Sequence, residues 1–174
     1  MDADIRPMWP TPIWIGHVDA EALSRLARYA DPTIDTDLAT HTDALSSTAH
    51  LEHAVTAGLD IEPSVLRWHH RLSVWPAGFY LGMTYSHATV RVLVIVASNQ
   101  PREHPESGAI SLHDPRTGAA NVALPGLPWG RTTKIPPMAG GAVAIPGWLG
   151  CSIAPLRAAH RMTVWTAEAL ANQP

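Results

Sequence analysis

A single cysteine, Cys151, stands among the 174 residues, so the chain can close no disulfide on itself. A lone thiol suits a reducing compartment, and the cytoplasm is the expected location. Basic runs are missing too, and the formal net charge is −3. Recognition of a phosphate backbone needs clustered Lys and Arg, so nucleic acid is not an expected partner. No stretch approaches the roughly 20 apolar residues of a membrane span. The longest, Val90 to Ala97, is broken by Arg91. The opening residues Met1-Asp2-Ala3-Asp4 lack the basic-then-apolar order of a secretory leader, so neither export nor a membrane anchor is expected. No internal repeat is visible. Charged residues are sparse while the apolar fraction is ordinary, which excludes a disordered chain.

Proline and glycine, in contrast, are plentiful: sixteen and twelve, scattered along the chain. Together with short Trp- and Val-rich segments they predict many turns and a mainly β fold. The length is that of one domain, residues 1–174. Helices are expected in its N-terminal part, about residues 19–69, and strands over about 71–166. Met8 to Ile15 reads as an extended segment kept at an edge by Pro10 and Pro12. Asp19 caps a helix from Ala20, with Leu23, Leu26, Ala27 and Ala30 at helical spacing and Pro32 ending it. A second helix is expected from Ser47 to Ala57, closed by Gly58. A third helical piece is expected from Pro63 to about His69. His50 and His53 have the spacing of a metal pair on one helix face, but no third ligand follows nearby.

From Arg71 to Trp75 the period becomes that of a strand. Val90 to Ala97 has the β-branched density of a central strand. Phe79 to Tyr85 is a short segment with Gly82 inside, and further strands are expected over 108–113, 121–124, 132–135, 142–145, 150–153 and 161–166, with 167–174 as a tail. Gln100 to Ser107 is a surface loop. Pro125 to Arg131 is a rigid loop bearing Trp129, placed to cover a pocket or to make a dimer contact. A homodimer is left open.

One run is more specific than the rest: Ile145-Pro146-Gly147-Trp148-Leu149-Gly150-Cys151-Ser152-Ile153-Ala154-Pro155, followed by Arg161-Met162-Thr163. It resembles the C-terminal half of the double-stranded β-helix (a cupin-like jelly roll) of the iron- and 2-oxoglutarate-dependent oxygenases. The nearest resemblance is to the bacterial 2OG-Fe(II) oxygenase family, whose corner reads roughly Phe-Pro-Ser-Trp-Leu-x-His-Ser-Val-x-Pro, then Arg-x-Ser. Pro146, Trp148, Leu149, Ser152, Pro155, Arg161 and Thr163 keep that pattern. The opening Trp9-Pro10-Thr11-Pro12-Ile13 resembles the family's first strand, and Gly108 to Arg116 resembles its Gly-x-Leu-x-Phe-x-Asp-Pro-Arg segment. The resemblance covers roughly residues 8 to 166.

It breaks where the metal would bind. The family's distal histidine falls on Cys151. Its first ligands, from a Gly-x-Tyr-His-x-x-His-x-His-Pro segment, fall on Leu81, Thr84 and Ser86. Two histidines and a carboxylate, or a close substitute, are what ferrous iron needs on one face, so the resemblance implies an oxygenase fold without its metal triad. An atypical set remains conceivable: His87 by a one-residue slip, the Cys151 thiolate, and His113 or Asp114. A thiolate beside activated oxygen is easily oxidised. Arg161, by resemblance, forks onto the far carboxylate of 2-oxoglutarate with help from Thr163; alternatively it is a structural arginine paired with Asp or Glu.

Each remaining candidate has two readings. Cys151 is a nucleophile, if His87, His113 or His160 activates it, or a small core residue. His113 is a general acid or base, or a surface histidine at a strand end. Trp75, Tyr80 and Trp148 line the barrel mouth, as the resemblance implies, or serve as core packing.

The functional expectation is a metal-independent enzyme that binds a small organic molecule in the emptied barrel and promotes a cyclisation, rearrangement or elimination. Its catalytic residues are His87, His113, Cys151 and Arg161. Its substrate-binding residues are Trp75, Tyr80, Thr84, Ser86, Trp148 and Thr163. No cofactor is expected. An iron- and 2-oxoglutarate-dependent hydroxylase with an unusual ligand set, and a non-catalytic partner subunit of an oxygenase, are the alternatives.

Overall fold

The fold is built from how each strand distributes its side chains between two faces. The computed structural model describes residues 11–115 and 132–171. The expected strand over 121–124 and the Pro125–Arg131 loop lie outside the described residues. β1 (Trp14–His17) leads to α1 (Ala20–Ala27). β2 (Thr36–Asp37) and α2 (Thr42–Gly58) precede β3 (Leu66–Trp75). β4 (Leu81–Thr84), β5 (Val90–Ser98) and β6 (Ile110–Leu112) follow. β7 (Thr133–Ile135), β8 (Gly141–Pro146), β9 (Cys151–Ile153) and β10 (Met162–Ala171) complete the described set.

These strands form two antiparallel sheets. The larger has the order β1-β8-β5-β10-β3-β2 and the smaller β4-β9-β6-β7. On β5 the period of two separates Val90, Val92, Val94 and Val96, which pack under the helices, from Leu93 and Ile95, which face the smaller sheet. β8 divides likewise, with Ala142 and Ala144 under the helices and Val143 and Ile145 inside. The result is a jelly roll with a helical layer on the outside of one sheet. A strand buried on both faces reads as a continuous apolar run, as β5 does apart from Arg91.

α1 begins where Asp19 predicts: the Ala22 N–H donates to its carboxylate at 2.8 Å. Leu26 and Ala22 are its buried contacts. α2 starts five residues before the expected Ser47. Ala44 is fully buried in the layer between helix and sheet, and that tertiary packing extends a segment whose Thr, Asp and Ser residues carry little helical signal.

Two expectations are corrected. The third helix, 63–69, is a 3₁₀ turn at Pro63–Val65, after which β3 begins at Leu66. On β3, Trp68, His70 and Leu72 turn to the helical layer, which leaves the alternate residues Arg67, His69 and Arg71 on the barrel side. Charge on the inward face hid the strand's alternation. The expected tail is strand as far as Ala171, with Ala167 and Ala169 buried under the helices. Alanine there admits close helix packing but gives no β-branched signal.

Candidate active site in the barrel cleft

The ladder registers place three polar side chains in one row across the inner face of the larger sheet. Glu168 on β10 is opposite His69 on β3 and opposite Arg91 on β5. The next row runs from Arg71 through Thr166 to Leu93. Beyond it the face becomes apolar, with Val164 and Ile95. The barrel is therefore polar at one end and closed by hydrophobic side chains at depth.

A cleft of about 320 Å³ opens on this polar end. Asp37, His69, His70, Arg71, Arg91, Thr166 and Glu168 line it from the larger sheet, and Leu81 and Ile153 from the smaller. Trp75 and Leu93 form its apolar wall, and the Trp75 ring stacks on Phe79 at a centroid distance of 4.5 Å. Trp75 is thus both a core and a cleft residue.

Arg91 is the unusual member. It is 9% exposed, and a buried cation ordinarily has a carboxylate beside it. Here Nη1 donates to Thr84 Oγ1 at 3.4 Å, while Nε and Nη2 have no hydrogen-bond partner among the described residues. Glu168 is opposite but engaged elsewhere: Ser86 Oγ donates to its Oε1 at 2.7 Å, and Ser86 Oγ accepts from the Ala88 N–H at 3.1 Å. Thr84 Oγ1 donates to the Cys151 carbonyl at 3.3 Å. Three of the positions on which the resembled family's metal ligands fall are therefore already engaged, in two separate sets: Thr84 with Arg91 and the Cys151 backbone carbonyl, and Ser86 with Glu168.

These residues do not fit a ferrous ion. Thr84 and Ser86 offer alcohols that are already hydrogen-bonded, and Leu81 offers no donor. Burial pushes the Cys151 thiol up, against a smaller opposing pull from the Arg91 charge, so the ligating thiolate is disfavoured. A permanent cation against Thr84 repels a second one. Among the described residues no three His, Cys, Asp or Glu side chains converge as a metal site. His50 and His53 are both exposed on α2.

The other candidates disperse. His87 is exposed and lines a separate groove with Arg67, Thr89, Leu170 and Ala171. His113 Nε2 is 2.8 Å from Ser152 Oγ. Ser152 alternates with the buried, inward Cys151 and Ile153, so this pair sits on the outer face of the smaller sheet. Arg161 is exposed at the start of β10, the end remote from Glu168, and its backbone N–H donates to Asn99 Oδ1 at 2.6 Å. Thr163 adjoins the β-bulge there. Tyr80 and Trp148 are mostly exposed, at 67% and 53%. His160 is fully buried between Ser98 and Ser107, at 3.0 and 2.6 Å, and burial pushes its pKa down. That network ties the loop before β6 to the turn before β10.

Sequence reasoning missed Arg91, Glu168, His69 and Thr166. The signal for Arg91 was present: a charge inside the strongest strand of the chain. Glu168 and Thr166 lay at the margin of an undetected strand end, and His69 in a supposed helix.

No family model matches the chain, and no curated protein matches it in sequence. Solved structures match it in fold. EvdO2 from Micromonospora carbonacea var. aurantiaca, complexed with 2-oxoglutarate, superposes with a TM-score of 0.66 at 13% identity, over 92% of this chain and 87% of that one. A Pseudomonas putida prolyl-4-hydroxylase gives 0.62 at 12% identity, over 94% and 89%. HygX from Streptomyces hygroscopicus, with iron bound, gives 0.58 at 12% identity, over 92% and 83%. These neighbours are 2OG-Fe(II) oxygenase-type enzymes, and the likeness establishes a mainly β, double-stranded β-helix fold for this chain.

Proposed function

We propose that the protein is a metal-independent enzyme on the 2-oxoglutarate oxygenase fold. It holds a small organic molecule in the barrel cleft and promotes a non-oxidative step, a cyclisation, rearrangement or elimination in specialised metabolism. The observation that carries this reading is the buried guanidinium of Arg91, set among positions where the resembled family keeps its metal ligands. A fixed positive charge in a cleft shielded from water can polarise or anchor a substrate without a metal. Glu168, held by the Ser86 hydroxyl, is the proton acceptor at the rim. Trp75 and Leu93 give the substrate an apolar wall that fixes its orientation. Steps of this kind leave the overall oxidation level unchanged and need no oxygen. On this reading no cofactor is required, and a lone buried thiol suits the cytoplasm. Fold alone does not decide between this and oxidative chemistry; the misfit between the cleft's donors and ferrous iron favours it.

The test is incubation of purified protein with a small-molecule extract of the producing cells, with and without a chelator, read by mass spectrometry. The expected result is a compound replaced by its isomer, or by a product lighter by one neutral molecule, unaffected by the chelator. A product that gains one oxygen atom only when ferrous iron and 2-oxoglutarate are supplied would contradict the proposal. No turnover in either medium would instead favour a non-catalytic subunit.

A further inference from the structure

The cleft's own geometry defines the ligand's chemistry more narrowly, and this inference rests on the metal-independent reading above. A guanidinium offers a side-on pair of parallel N–H donors at Nε and one terminal nitrogen, the spacing that matches the two oxygens of a carboxylate. In Arg91 that pair, Nε and Nη2, is the part left without a hydrogen-bond partner among the described residues. The remaining nitrogen, Nη1, is held by Thr84, which fixes the plane of the fork. A residue nine-tenths buried, with its bidentate edge unpaired, is costly in an empty protein. That edge is enclosed by neighbouring side chains, so an anion completes it, and removes that cost, once those side chains shift to admit it.

The rest of the cleft fixes what else the ligand carries. Beyond the polar row lie Trp75, Leu81, Leu93 and Ile153, which offer no hydrogen-bonding group except the indole N–H. We infer that the cleft takes a small monocarboxylic acid, its carboxylate side-on at Arg91 and its apolar body against Trp75, Leu93 and Ile153.

Calorimetric titration with 4-phenylbutanoate, its primary amide 4-phenylbutanamide, and acetate tests this, in chelator and again with ferrous iron under anaerobic conditions. The acid is expected to bind in chelator, with the amide and acetate each weaker by about tenfold or more, the scale of one charged hydrogen-bonded contact. Arg91→Met should lose the preference of acid over amide, while Arg102→Gln, on an exposed loop, keeps it. Equal affinity for acid and amide in the wild-type protein, a comparison that needs no variant to fold, would overturn the inference. So would an Arg91→Met protein that still prefers the acid. Failure of all three probes without iron uptake would sink only the ligand class. Acid binding that appears only with ferrous iron would sink the metal-independent reading as well.

Discussion

Arg91 Nη1 donates to Thr84 Oγ1 at 3.4 Å, joining a buried cation on β5 to a position that in the resembled family carries a metal-binding histidine. The positive charge at the barrel mouth is then a side chain's, supplied by the fold.

A buried charge kept for binding should cost the unliganded protein stability. Arg91→Met retains the aliphatic stem and removes the unpaired cation, so it is expected to stabilise by about 1–4 kcal/mol, the range seen when buried ionic groups give way to apolar ones. The melting temperature should rise by roughly 2–4 °C per kcal/mol. A thermal melt showing a fall would mean that Arg91 has a structural partner.

Cys151 is expected to behave as core. It is fully buried, and burial pushes its thiol up. A thiol reagent at pH 8 should label the unfolded protein rapidly and the native protein at a rate limited by opening of the fold. Cys151→Ala should cost about 1 kcal/mol through lost packing. Rapid labelling of the native state would restore Cys151 as a nucleophile.

What the sequence made legible divides along a physical line. The strands of the C-terminal half could be read because Val90–Ala97 and Ala142–Ile145 carry β-branched, doubly buried patterns, and the Pro146–Pro155 corner fixed the topology by resemblance. The inner face of β3 and the end of β10 could not. There Arg67, His69, Arg71 and Glu168 occupy inward positions that periodicity assigns to apolar residues. A polar inner face breaks the pattern by which strands are recognised, so the proposed site was hidden by its own polarity. His113 and Arg161 were named from their motifs, but a residue's number does not say which face of a sheet it occupies or how far it stands from Cys151.

His70, which also lines the cleft, supplies a pH dependence through its buried ring. Its ring stacks between Trp68 and Trp165, at centroid distances of 6.3 and 5.7 Å, and lies 3.3 Å from Glu52. Burial is the main cause that lowers its pKa from 6.5 to about 4. The unfolded chain therefore binds a proton that the native ring refuses between those values. This contribution is complete above pH 6.5 and lost as pH falls towards 4, amounting to about 3 kcal/mol. Burial raises the Glu52 carboxyl, which opposes the trend, because the native state then takes up a proton first as pH falls. Denaturant unfolding should show wild type losing stability relative to His70→Phe as pH drops from 6.5 to 4. A difference between the two proteins that stays constant over that range would contradict the assignment.

Gly147 holds the corner that carries Trp148. A Cβ there would fall on the Ala88 carbonyl oxygen and within 2.7 Å of that of Ser86. Both are backbone atoms that cannot step aside cheaply. Gly147→Ala should destabilise by about 2 kcal/mol or more. By displacing Ser86 from Glu168 it should also weaken binding in the cleft. A variant as stable as wild type would show that the corner is more pliable than its contacts imply.

The central claim is that the Arg91 guanidinium, rather than a metal, supplies the charge at the barrel mouth. Its most direct test is an anaerobic titration of the purified, chelator-treated protein with ferrous iron, followed by 2-oxoglutarate, read by calorimetry and by visible absorbance. The account predicts no stoichiometric uptake of iron and no metal-to-ligand charge-transfer band, in wild type and Arg91→Met alike. One equivalent of tightly bound iron, with a band that develops on adding 2-oxoglutarate, would contradict it.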